Sequence, residues 1–158
     1  MPSLRVFFVM AVWAALLPTA SAETAIDQMP VMECRVEQAQ GSFMGYLPPK
    51  FGDRIVLKPA LLQKLSDKLQ FAGGHYIPLN GELKILKEER SADGAVRMLQ
   101  MRSGTPGQWT VTLDLRLPDE KTKSGASVQI LQQERSSSSV AQLGCVPKSP
   151  GGSAPPKP

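Results

Sequence analysis

Cysteine and histidine are scarce in this sequence, with two Cys and one His in 158 residues. That scarcity removes whole classes of chemistry. There is no Cys-x-x-Cys, and a lone His cannot complete a zinc ligand set. Copper is the other metal to consider, through Met and His. Met98 and Met101, however, stand three apart on a predicted strand and so point to opposite faces. Met29, Met32 and Met44 read as one core residue flanked by two loop residues. No metal and no other cofactor is expected. Also missing are a Gly-x-Ser-x-Gly elbow, a phosphate-cradling glycine loop ending in Lys-Ser or Lys-Thr, and a His-Glu-x-x-His helix. Aromatic residues make up only 6% of the chain. Lys84, Lys87, Arg90, Arg97 and Arg102 are scattered among acids and apolar residues. A nucleic-acid surface would concentrate its cations and interleave them with stacking rings, so nucleic acid is not an expected partner.

No apolar run reaches the length of a membrane-spanning helix. The longest is Val6 to Leu17, about a dozen residues, which suits the apolar region of a secretory signal peptide. Arg5 precedes it, Pro18 ends it, and Ala20-Ser21-Ala22 forms a small-residue cleavage site. Residues 1–22 are therefore expected to be a signal peptide, with Glu23 beginning a periplasmic or secreted chain that has no membrane span. Loss of Arg5 lowers the formal charge from +4 to about +3, a mild basicity that suits a solvated surface. In an exported protein, Cys34 and Cys145 are expected to form one disulfide that ties the first element of the domain to its last.

What remains is punctuated by glycine and proline and patterned mostly at a period of two. Residues 23–30 read as a flexible leader, 31–146 as a single β-rich domain, and 147–158 as a disordered tail rich in Pro, Gly and Ser. Met32, Cys34 and Val36 alternate with charged residues as in a half-buried strand. The clearest strand is Trp109 to Leu117, with Trp109, Val111, Leu113, Leu115 and Leu117 on one face. Ala126, Val128 and Ile130 follow in the next strand, and Ala141, Leu143 and Cys145 in the last, after a turn at Ser136 to Ser139. One helix is expected over about 59–71. It opens on Pro59, carries Leu61, Leu62, Leu65 and Leu69 at helical spacing, and stops at Gly73-Gly74. Asn80-Gly81 suits a hairpin turn between 75–79 and 82–88, and Asp93-Gly94 a second. The fold class is mainly β: a small antiparallel meander sheet or barrel with one helix, closed by one disulfide. A two-layer α+β sheet is the alternative.

Function has thinner support. His75 is the sole candidate for a histidine-dependent reaction. Glu88-Glu89 and Asp119-Glu120 are the candidate acidic pairs, but adjacent acids at turns do not establish the spaced carboxylates that hydrolysis needs. The loop from Gly41 to Asp53 is unusual in carrying Phe43, Tyr46 and Phe51 among glycines and prolines, as a binding surface would. The leading expectation is an exported, non-catalytic binding module, an inhibitor or envelope accessory factor acting on a protein partner through those three aromatics. Two alternatives stand beside it. One is a carrier of a small apolar ligand, held against Leu113, Leu115, Val128 and Ile130. The other is a hydrolase using His75 or an acidic pair.

Overall fold

The computed structural model describes residues 25–43, 49–65, 67–105 and 107–148. The expected signal peptide, Tyr46 and the tail beyond 148 lie outside them, as do the side chains of 63–65. Among the described residues nine strands and one helix follow in chain order: β1 (Val31–Gln40), β2 (Arg54–Leu57), α1 (Pro59–Leu65), β3 (Lys68–Gln70), β4 (Tyr76–Pro78), β5 (Lys84–Arg90), β6 (Val96–Ser103), β7 (Trp109–Arg116), β8 (Ala126–Glu134) and β9 (Ser137–Lys148). Seven strands form one antiparallel sheet in the order β2-β1-β9-β8-β7-β6-β5, and β3 pairs with β4 in a separate ribbon. Among the described residues no helix is long and apolar enough to cross a membrane.

The period-two pattern builds the core directly. Val36, Leu143, Val128, Leu115 and Leu99 stand side by side across five strands, and all are buried. Ala141, Ile130, Leu113 and Met101 form the adjoining row. Gln38, Gln142, Gln129, Asp114 and Gln100 line the opposite face. Leu62 of the helix, Leu69 and Ile77 of the ribbon, and Ala25, Ile26 and Met29 ahead of β1 join the same core. The expected one-sided sheet is present, but β2 and β5 remain its two edges and no barrel closes.

The disulfide is also where it was expected. Cys34 and Cys145 are direct cross-strand partners, bonded with a Cα separation of 4.0 Å. This bridge lies inside the sheet, where the first and last long strands meet.

Three local expectations need correction. The helix ends at Leu65 rather than near 71. Leu69 and Phe71 instead follow strand alternation, matched by Ile77 and Leu79, and all four are buried. Gly73 and Gly74, expected to stop the helix, instead form the turn of this ribbon, at φ of 96° and 91°, a region open to Gly at little steric cost. Secondly, β4 pairs with β3 and not with β5. Asn80 is drawn away to the β6–β7 end, where its Nδ2 donates to the Trp109 carbonyl at 2.9 Å and its backbone N–H donates to Ser103 Oγ at 3.1 Å. Thirdly, Ser137, Ser138 and Ser139 belong to β9, which leaves only Arg135-Ser136 to turn the chain.

The Asp93-Gly94 turn does form and carries a pH-dependent contact. Ser91 Oγ donates to Asp93 Oδ1, and the Ala95 N–H donates to the same oxygen at 3.2 Å. The Ser91 hydroxyl and then the Ala95 amide hold this carboxyl below the ordinary value of 3.8. The unfolded chain therefore takes up the proton first as pH falls. The turn contributes stability above the unfolded value and loses it as pH drops through the lower, folded one. Ser91→Ala is expected to raise the Asp93 titration midpoint toward the ordinary carboxylate range, read from side-chain carboxyl NMR shifts against pH.

A candidate His–Asp site

The site is assembled from two turns that the fold draws together. The first precedes β2: the Asp53 N–H donates to the Lys50 carbonyl at 3.0 Å, and the Lys50 N–H donates to Asp53 Oδ2 at 2.7 Å. Gly52, at φ of 88°, lets the chain double back here. This turn is stitched to β1, since the Gly52 N–H donates to the Val36 carbonyl and the Val36 N–H to the Asp53 carbonyl, each at 2.8 Å. The second turn belongs to the ribbon. The Phe71 N–H donates to the His75 carbonyl, and the Ala72 N–H reaches the Arg54 carbonyl, each at 2.7 Å. That last bond carries His75 to Asp53.

There His75 Nδ1 contacts Asp53 Oδ2 in a hydrogen-bonded ion-pair geometry. The side chains are 18% and 15% exposed, so the pair is shielded but reachable from solvent. Asp53 Oδ2 thus receives both the imidazole and a backbone N–H, which fixes the carboxylate and, through it, the ring. Among the described residues His75 Nε2 has no hydrogen-bond partner. A carboxylate on Nδ1 favours the tautomer whose Nε2 is a free proton acceptor, the arrangement by which a histidine is oriented as a general base.

This pair overturns the expectation of a protein without catalytic residues. In the sequence His75 is a lone candidate; the fold supplies Asp53 as its partner. The acidic pairs fare differently. Glu88 sits with Arg90 at 3.0 Å and Glu89 with Lys87 at 2.7 Å. They are successive strand residues and so point to opposite faces. Asp119 Oδ1 accepts the Lys121 N–H at 2.9 Å, ordinary turn chemistry.

The aromatics of the 41–53 loop divide. Phe43 is 7% exposed and belongs to the core, whereas Phe51 is 75% exposed on the same turn as Asp53. Met29, Met32 and Met101 are core residues. Among the described residues no group of three or more His, Cys, Asp or Glu is placed to hold a metal ion. A cleft of about 740 Å³ lies elsewhere, between Met98, Arg97, Arg116 and the loop through Thr122. It is open and bears no part of the His–Asp pair.

Fold and site together define a small disulfide-linked antiparallel β protein with a half-buried His–Asp pair at one edge of its sheet. No family model matches the chain, and comparisons with curated proteins and with solved structures find no match.

Proposed function

We propose that the chain is an exported hydrolase in which His75 is the general base and Asp53 positions it. The observation that carries this reading is the Nδ1–Oδ2 contact, which leaves Nε2 without a partner among the described residues. In the reaction, a water oxygen bonds the electrophilic centre of the substrate while its proton passes to Nε2. The same imidazolium then returns the proton to the leaving group, and the Asp53 carboxylate stabilises the transient positive charge.

His75→Gln is expected to lower turnover by about 10²–10⁴-fold, the usual contribution of a positioned base. The assay is hydrolysis of a panel of chromogenic carboxylic, phosphate and sulfate esters by the chain lacking residues 1–22. Asp53→Asn keeps the shape of the side chain and removes its charge. It should lower the rate and also displace the rising limb of the pH profile, which a merely structural role would not move. Equal rates for the parent and His75→Gln would overturn the proposal. So would absence of turnover across the panel combined with a large fall in melting temperature, which would assign the pair to clamping the two turns.

The exposure of Phe51 favours a second reading, in which the turn at 50–53 docks on a protein partner. A photoreactive residue at position 51 should then capture one discrete adduct in the cell envelope. The apolar-carrier reading has less support, because Leu113, Leu115, Val128 and Ile130 all lie at 0% exposure within one continuous core.

A further inference from the structure

The outer side of the same turn carries an arrangement of charge that the general base does not use. Arg35 on β1 and Arg54 on β2 are direct cross-strand partners, and both are exposed. Like charges placed opposite one another in a sheet are destabilising. Among the described residues neither guanidinium has an ion-pair or hydrogen-bond partner. The nearby acids are engaged elsewhere or turned aside. Glu33 pairs with Lys148, the Glu37 carboxylate lies over Gly144, and Asp53 holds His75.

The Arg35 guanidinium itself packs on Gly52. A Cβ at Gly52 would stand 3.5 Å from its Nη2 and 3.8 Å from its Nε. Gly52 adjoins Asp53, so this guanidinium sits beside the turn that presents the His–Asp pair, with the exposed Lys50 on the same turn. Two fork-shaped donors drawn from facing strand positions to one tetrahedral anion would match its oxygens and lose their mutual repulsion.

We infer that Arg35 and Arg54 bind a tetrahedral oxyanion, a phosphate or sulfate group of the substrate on which His75 acts. The inference rests on the proposed function for the word substrate, but the anion site stands or falls separately. The test is an amide NMR titration of the chain lacking residues 1–22 with inorganic phosphate, and in a parallel arm sulfate, against chloride at matched ionic strength.

Saturable shifts are expected at position 35 and through 50–54. Affinity should fall about tenfold or more in Arg35→Gln and in Arg54→Gln, because each removes a charge-assisted bond. The phosphate and sulfate arms, compared with each other, distinguish the two anions. No saturable response, or equal affinity in the arginine variants, overturns the inference. If His75-dependent hydrolysis persists in that case, only the anion site is lost. Anion binding with no effect of His75→Gln on turnover removes the general base instead.

Discussion

Replacing Cys34 and Cys145 together by serine is expected to lower unfolding stability by about 2–5 kcal/mol. The bond joins residues 111 apart in sequence, so its loss releases a long closure in the unfolded chain. The loop-entropy model puts closures of this length at about 4–5 kcal/mol, although measured values often fall short of it. Serine adds a second cost at the buried site, since Cys34 is only 3% exposed and a hydroxyl there loses its hydration. The consequence extends to the site. Cys34 is two residues from Val36, whose N–H and carbonyl hold the turn at 50–53. Loosening β1 against β9 should therefore weaken the proposed hydrolysis and anion binding before global unfolding. Urea denaturation of the parent with and without reductant, beside the double variant, checks the magnitude. Coincident curves for all three would show that the sheet register alone supplies the closure.

Much of the sheet was legible because one period dominates it. From Trp109 to Arg116 the chain alternates without interruption, and its apolar positions meet β6 and β8 in register. The disulfide followed from two cysteines near opposite ends of an expected exported domain. The ribbon was not legible, because Leu61, Leu62, Leu65 and Leu69 satisfy a helical spacing while Leu69 and Phe71 satisfy a strand spacing. Local pattern could not choose between them; the pairing of Leu69 with Ile77 did.

Asn80-Gly81 suited a hairpin, yet the Asn side chain finds better partners at the β6–β7 end. The His–Asp pair was hidden for a different reason. Its members lie 22 residues apart in no recognised motif, and the backbone bond from Ala72 to Arg54 helps to bring their turns together. A lone His was visible; which of many carboxylates it would meet was a question of tertiary structure.

The aromatics of the 41–53 loop provide the second large effect, because one stretch of similar composition holds two opposite environments. Phe43→Ala is expected to cost about 3–5 kcal/mol, the range for truncating a buried Phe and leaving a cavity. Its ring is in the core, and removing it subtracts apolar area that the neighbouring side chains cannot fully recover. Phe51→Ala is expected to change stability by less than about 0.5 kcal/mol, as exposed positions do. Its ring meets solvent, yet it stands two residues from Asp53 and one from the Gly52 on which Arg35 packs. For the proposed hydrolase, removing it should instead weaken substrate capture, raising KM with little change in kcat, the signature of a contact made equally in ground and transition states. Thermal unfolding of both variants, followed by kinetics on Phe51→Ala, separates the two roles. A large loss of stability in Phe51→Ala would place that ring in the packing of the turn. A small loss in Phe43→Ala would mean that the loop can leave the core without disturbing the sheet beneath it.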